Sequence, residues 1–310
     1  LTGTKIGSLQ SLQTHLKAFR QMRHSTTSAF LYKKLIEPVL PNIEEYEHVF
    51  ISPDGPLNLI PFEILQDSEG QSLIDKTTIS YLATGRDLLR YNVEEEYLTT
   101  GPVVLANPLY SEQDNQVSLP ATQMEADMLQ ELYPEAKIFT QSEATVEELR
   151  KIDSPKILHI ATHGFFEDDD PNTLMDDNPM TRSGLILAGT DKEGEDTRIL
   201  ASEAVTLDLD GTELVVLSAC ESGLGKSENG EGVYGIRRSL ALAGAKSQVV
   251  SLWSVDDEAT SYFMESFYRK IKEGKEKAVA MKETKMEMRR MEQWNNPKYW
   301  SAFVLTGEWR

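Results

Sequence analysis

Two short, largely apolar segments constrain the fold of this chain more than any other part of its sequence. They are KILHIATHG at 156–164 and ELVVLSAC at 213–220. Runs of this length and composition are typical of strands buried on both faces of a parallel sheet. Each run ends at one reactive side chain, His163 or Cys220. Because open α/β sheets gather their chemistry at the carboxyl ends of the strands, the sequence predicts that these two side chains meet at one sheet edge.

The remaining chain alternates between short apolar segments and amphipathic segments. Such alternation predicts an α/β fold with a parallel-rich sheet flanked by helices. A polar stretch with Gly and Pro near residue 98 predicts a boundary between a smaller front part, 1–98, and a larger part, 99–310. Strand-like segments lie at 48–52, 78–82, 103–107, 137–140, 183–188, 248–253 and 301–306, and helical segments at 8–36, 122–133, 145–152, 232–244, 257–273 and 275–292.

Composition narrows the environment and the partners. The chain has 310 residues and one Cys, which excludes an intrachain disulfide and fits a reducing cytoplasm. Its net charge of −19 would repel a phosphate backbone, so no nucleic-acid partner is expected. We find no apolar run long enough for a membrane span and no signal segment. The start without Met predicts a fragment of a longer protein.

A thiol and an imidazole at one sheet edge form a nucleophile and its base. Cys220 would attack a carbonyl group, and His163 would carry the proton. The glycines that follow each residue let backbone N–H groups approach the substrate, so we assign an oxyanion hole to the amides of Gly164 and Cys220. The alternative to this dyad is that Cys220 is a small buried residue and His163 a histidine of the core, both without a catalytic role. His159 shares the strand face of His163 and is predicted to be a packed residue.

A competing motif overlaps Cys220. The segment CESGLGKS at 220–227 differs at one position from the phosphate-binding loop G-x-x-x-x-G-K-[ST]. That loop must open directly into a helix, whereas here flexible, acidic sequence follows Ser227. An ATPase is therefore the less favoured alternative, and no cofactor is expected.

The chain resembles the CHAT domain, a caspase-like module often fused to TPR repeats in bacteria. The resemblance implies clan CD cysteine peptidase chemistry with His163 and Cys220 as the dyad, and their separation of 57 positions is close to the caspase-type interval of about 50. It also implies that 1–98 is a degenerate, pseudo-caspase-like half packed on the active half. The matching segments are 50–63, 106–110, 119–122, HIATHG at 159–164, LSACESGLG at 217–225, 230–235, 251–257 and 299–307.

The resemblance implies less about substrate choice. Separase-like relatives place an acidic residue after a similar Leu-Trp segment, where it receives a P1 arginine. Asp257, with Asp256 beside it, takes that position here. The alternative is that one of the two caps the following helix. We also expect Ser183, Gly184 and Leu185 to pair with an extended substrate by strand addition.

An acidic segment, 167–178, follows His163. Three interpretations stay open: a solvated surface loop, a gate that orders on activation, or an oxygen-rich Ca²⁺ site. Since the segment lacks the EF-hand pattern, we assign no metal.

These observations favour a bacterial, cytoplasmic cysteine endopeptidase that cuts a specific protein within an extended segment. We expect it to be latent until a regulatory module or partner, such as a TPR region, activates it. The alternative is a non-catalytic caspase-like scaffold that binds other proteins.

Overall fold

The computed structural model describes residues 16, 19, 24–91, 97–167, 178–189, 196–218 and 231–310. Within these residues the chain forms eleven strands. They are β1 (His48–Ile51), β2 (Thr78–Tyr81), β3 (Val103–Pro108), β4 (Lys137–Gln141), β5 (Ile157–Ala161), β6 (His163–Phe166), β7 (Ser183–Ile186), β8 (Arg198–Leu200), β9 (Leu214–Leu217), β10 (Ser247–Ser251) and β11 (Phe303–Gly307).

Helices connect most of these strands. The described α-helices are α1 (His24–Leu35), α2 (Leu73–Lys76), α3 (Asp87–Arg90), α4 (Thr122–Leu132), α5 (Val146–Arg150), α6 (Pro179–Arg182), α7 (Ala201–Ala204), α8 (Glu231–Leu242), α9 (Asp257–Lys272), α10 (Lys277–Arg290) and α11 (Pro297–Trp300). Short 3₁₀ helices span Leu40–Asn42, Gly55–Leu59, Phe62–Ile64, Glu112–Asp114 and Glu292–Trp294.

Eight of the described strands form one sheet in the order β1-β2-β11-β10-β9-β5-β3-β4. All neighbouring pairs in it are parallel except β10 with β11. The predicted parallel-rich sheet flanked by helices is therefore confirmed. Strand β11 is antiparallel to β10 and parallel to β2, so the three strands β1, β2 and β11 run opposite to the other five.

A second, smaller sheet lies beyond the carboxyl end of β5. It consists of β6, β7 and β8, with β7 in the middle and both pairs antiparallel. The chain passes from one sheet to the other through Thr162 alone, which separates β5 from β6. The predicted strand at 156–164 is thus divided in two, and His163 is the first residue of the smaller sheet.

The front third and the rest of the chain share one sheet and one hydrophobic core. Strand β2 pairs with β11 through Thr306 opposite Tyr81. The buried ammonium group of Lys285, on α10, donates a hydrogen bond to the Glu63 carboxylate over 2.6 Å. These contacts join the two sides of the predicted boundary at residue 98. The division into two parts stays a prediction.

In the part of the chain that the structure describes, no helix has the length and apolar character needed to cross a membrane.

Candidate active site

His163 lies two residues beyond the end of β5, where the chain leaves the large sheet and enters the small one. Its backbone lies opposite Ile186 of β7. Its side chain is buried, with the residue 6% exposed. The imidazole is therefore largely shielded from solvent.

A backbone carbonyl group orients the imidazole. The Nε2 atom of His163 lies 2.7 Å from the carbonyl oxygen of Val117. A carbonyl oxygen only accepts hydrogen bonds, so Nε2 must carry the proton that is donated to it. In the neutral ring, Nδ1 is then the basic nitrogen. This geometry selects the tautomer that is protonated at Nε2.

Tyr110 braces the backbone at the same place. Its hydroxyl oxygen accepts a hydrogen bond from the His163 N–H over 3.3 Å and lies 3.0 Å from the Thr162 Oγ1 atom. Thr162 Oγ1 in turn donates to the Ile186 carbonyl oxygen of β7. The Tyr110 and His163 rings are 5.2 Å apart between centroids. Together these contacts fix the turn from which His163 projects.

The loop that carries Val117 is tied to the small sheet. Asp114 accepts hydrogen bonds from Ser111 Oγ over 2.8 Å and from Arg198 Nε of β8 over 3.0 Å. Burial raises the pKa of the Asp114 carboxyl, but hydrogen bonds from Ser111, Thr197 and Arg198 outweigh it and hold that pKa below its ordinary 3.8. The ionised carboxylate thus keeps both bonds at neutral pH, and the loop stays in place.

Cys220 lies outside the described residues, but the strand before it is well placed. Strands β5 and β9 are parallel neighbours, with Ile160 opposite Leu217. His163 follows Ile160 by three positions, and Cys220 follows Leu217 by the same number. Gly164 lies in β6 opposite Leu185. The dyad and the oxyanion hole of Gly164 and Cys220 stay predictions.

A buried polar network lies beneath this edge. His159 is fully buried, as expected for a packed residue. Its Nδ1 atom lies 3.0 Å from the Tyr268 hydroxyl, and its Nε2 atom lies 3.1 Å from Glu125 Oε2, without the alignment of a hydrogen bond. Ser218 Oγ, two residues before Cys220, donates to Glu125 Oε1 over 3.1 Å. Burial raises the pKa of Tyr268 well above its ordinary 10.0, so its hydroxyl stays protonated.

Glu125 also borders a small cavity at the same edge. The cavity measures about 20 Å³, room for about one water molecule. Ser218, Ser251, Trp253 and Asp257 are among its other lining residues. The role of Glu125 cannot be predicted from the sequence, because the spacing of polar residues on an amphipathic helix does not show which of them is buried.

The two adjacent aspartates have different roles. Asp256 is the N-cap of α9, and its Oδ1 atom accepts hydrogen bonds from the Glu258 and Ala259 N–H groups, each over 3.2 Å. The capping interpretation is therefore confirmed for Asp256. Asp257 is the first residue of the helix and lines the cavity with Glu125.

The structure does not support strand addition at Ser183, Gly184 and Leu185. These residues belong to β7, which is paired with β6 on one side and β8 on the other, so its backbone offers no free edge. All three are buried. A Cβ atom on Gly184 would lie 2.1 Å from the Ile199 carbonyl oxygen and 2.8 Å from the Phe165 ring. Gly184 thus serves close packing between strands.

Two further sequence hypotheses fall largely outside the described residues. The acidic segment 167–178 is described only at its ends, where Glu167 Oε1 lies 3.7 Å from Arg198 and Asn178 caps α6. The whole segment 220–227, on which the ATPase alternative rests, is outside. Among the residues that are described, no group of three or more His, Cys, Asp and Glu side chains could hold a metal ion.

The chain has relatives in sequence and in structure. Tetratricopeptide repeat protein 28 of Homo sapiens is 30% identical over 110 residues, and its counterpart of Mus musculus is 28% identical over 110 residues. Each match covers 35% of this chain and 4% of the relative, so the chain spans a small part of the curated proteins it matches.

The chain is also similar to solved structures of low sequence identity. The complex of the pro- and mature domains of Porphyromonas gingivalis RgpB has a TM-score of 0.52 at 8% identity, covering 97% of this chain and 69% of that one. The Saccharomyces cerevisiae separase–securin complex has a TM-score of 0.49 at 15% identity, covering 84% and 16%. At such identities the likeness to RgpB concerns the fold.

The family itself is given by sequence. The CHAT domain model matches residues 26–308. The match includes both apolar segments, the front third from α1 onward and the final strand β11. The predicted caspase-like fold class is confirmed, and the chain belongs to the CHAT domain family.

Proposed function

We propose that this CHAT domain is a cysteine endopeptidase with His163 and Cys220 as its dyad. The observation that carries the proposal is the hydrogen bond of the His163 Nε2 atom to the Val117 carbonyl oxygen. The bond fixes both the orientation and the tautomer of the ring. Here the tautomer leaves Nδ1 as the base, on a residue at the edge where β9 leads toward Cys220.

The proposed reaction has two stages. The Nδ1 atom of His163 takes the proton of the Cys220 thiol, and the thiolate attacks the peptide carbonyl carbon. The amides of Gly164 and Cys220 stabilise the oxyanion, and His163 returns the proton to the leaving amine. Water then hydrolyses the thioester, with His163 again as the base, and restores the thiol.

Substrate selection is assigned to the cavity at the same edge. We propose that Asp257, rather than Asp256, faces the substrate, because Asp256 is occupied as a helix cap while Asp257 lines the cavity with Glu125. Two carboxylates favour a basic P1 side chain. Since the cavity measures about 20 Å³, it must widen before such a side chain can enter. A narrow cavity is consistent with latency before activation.

The proposed partners are an extended protein segment as substrate and a regulatory module as activator. The curated relatives are named tetratricopeptide repeat proteins, which supports a TPR region as that module. The lone Cys suits a reducing cytoplasm, where the nucleophile would remain a thiol.

The test is active-site labelling with a peptidyl acyloxymethyl ketone, followed by mass spectrometry of the intact protein. We expect one adduct on Cys220 in the parent chain, formed slowly because the enzyme is latent, and a further reduction of at least tenfold in its rate of formation in His163→Ala. His48→Gln, a change at a histidine of β1 in the front third, is the control and should label like the parent. Equal labelling of His163→Ala and the parent would refute the dyad and favour the non-catalytic scaffold.

A further inference from the structure

A large cavity lies at the amino ends of the strands, the sheet edge opposite His163. Its volume is about 420 Å³, within the range of sites for small molecules. Residues just before or at the start of β3, β5 and β9 border it: Pro102, Lys156, Ile157, Glu213 and Leu214. The carboxyl end of α9 and the amino end of α10 close the other side.

The lining of this cavity is basic, although the whole chain carries a net charge of −19. Five cationic side chains line it against two acidic ones, Glu135 and Glu213. The cationic residues are Lys156, Lys272, Lys275, Lys277 and Arg310. An excess of positive charge inside a concave surface attracts anions.

Three of the five cations have close partners. Lys272 donates to the Leu132 carbonyl oxygen, Lys275 lies 2.5 Å from Glu283, and Arg310 lies 2.9 Å from Glu308. Lys156 has a looser contact, with 3.8 Å between its Nζ atom and Glu213 Oε2. Lys156 can therefore turn toward a ligand without losing a strong bond.

Lys277 differs from the other four. The residue is only 8% exposed, and its ammonium group makes no hydrogen bond or salt bridge with any described residue. Burial lowers its pKa from the ordinary 10.5, while Glu308 and Glu213 raise it and Lys246 and Arg310 lower it further. An ammonium group on a mostly buried side chain, with no charged partner, is stabilised when a ligand supplies the opposite charge.

The helix that begins at Lys277 adds to the positive charge around the cavity. Helix α10 has 14 residues, and its first residue lines the cavity. A helix of this length carries a partial positive charge at its amino end, which favours phosphate-type anions. Its N-cap, Glu276, makes no capping hydrogen bond with its side chain.

We propose that this cavity binds a small phosphorylated molecule, with Lys277 and Lys156 as the principal contacts to the phosphate group. A dianionic oxyanion matches two cations and a helix amino end, and the cavity has room for more than the phosphate group alone. The proposal is independent of the peptidase function, because the site lies at the other edge of the sheet.

The test is the thermal unfolding temperature of the purified chain, measured with inorganic phosphate, with pyrophosphate and with sodium chloride at equal ionic strength. We expect a saturable rise with the phosphates and none with chloride. Lys277→Met should raise the dissociation constant at least tenfold, and Lys156→Met should raise it several-fold. Lys282→Met, on the same helix but outside the cavity, is the control with an equal change of charge.

The unliganded proteins supply a second readout. Lys277→Met should unfold at a higher temperature than the parent, because it removes the unpartnered cation. Absence of any phosphate-specific rise in the parent would overturn the proposal, as would an equal loss of binding in Lys277→Met and Lys282→Met. Saturation with pyrophosphate but not with inorganic phosphate would assign the site to larger phosphorylated ligands.

Discussion

The imidazole Nε2 atom of His163 and the carbonyl oxygen of Val117 are 2.7 Å apart, although 46 positions separate the two residues. This bond selects the tautomer with a basic Nδ1 atom. The loop of Val117 is fixed by Asp114 and Arg198, so the orientation of the base depends on the small sheet as well as the large one.

Tyr110→Phe should lower both the rate of Cys220 labelling and the free energy of unfolding. The change removes the hydroxyl group that accepts from the His163 N–H and contacts Thr162. Loss of such a bond costs about 1 kcal/mol of unfolding free energy. We expect the rate of Cys220 labelling to fall several-fold. Tyr46→Phe, at an exposed tyrosine of the front third, should change neither quantity.

Asp257→Asn and Asp256→Ala should have separable effects. Asp257→Asn removes a carboxylate from the cavity, so we expect the activated enzyme to lose preference for Arg over Leu at P1, measured as the ratio of kcat/KM for matched fluorogenic peptides. Asp256→Ala removes the cap of α9 and should lower stability by about 1 kcal/mol while leaving that ratio unchanged. A parent enzyme that prefers Leu would contradict the assignment of Asp257.

The buried pair of Glu63 and Lys285 should show strong coupling. Lys285→Met leaves the Glu63 carboxylate buried with Tyr81 as its remaining partner, at a cost of about 3–5 kcal/mol. The double variant Glu63→Gln/Lys285→Met should recover much of that loss, since no isolated charge remains. Denaturant unfolding of the two single variants and the double variant measures the coupling. Additive effects on the free energy of unfolding would show that the two side chains do not stabilise one another.

Acidification should destabilise the chain partly through His48. Burial lowers the pKa of His48 from its ordinary 6.5, an effect that Glu276 opposes and Lys282 reinforces. The unfolded chain therefore binds the proton first as pH falls. The stability contribution is complete above about pH 6.5 and is lost as pH falls through the lower pKa of the folded state. His48→Gln should flatten this part of the curve of stability against pH. An unchanged slope would exclude His48 as the source.

Local structure followed from the sequence where burial and helix caps determine it. The segments predicted as strands at 48–52, 78–82 and 137–140 agree with β1, β2 and β4 to within about one residue, and Thr145 is the N-cap of α5 as expected. Apolar periodicity reports whether a segment is buried, which is a local property. It does not report which strand lies beside it, so the antiparallel insertion of β11 between β10 and β2 was not foreseen.

The candidate site could be predicted only in part for the same reason. His163 was found because a reactive side chain ends an apolar run. Val117 orients it through a backbone carbonyl group, which leaves no signature in the side-chain sequence. Glu125 meets His159 and Ser218 only after α4 packs on the sheet. The side chains of Ser183, Gly184 and Leu185 fit an edge strand as well as a central one, and only the pairing of β7 distinguishes the two.

The most direct test of the central claim is the rate of iodoacetamide alkylation of Cys220 as a function of pH. The chain has one Cys, so the measurement reports on a single thiol. We expect the reaction to remain fast near pH 6, well below the ordinary thiol pKa of about 8.5, and we expect His163→Ala to restore the pH dependence of a free thiol. A parent chain whose alkylation rises only near pH 8.5, with the same profile in His163→Ala, would contradict this expectation.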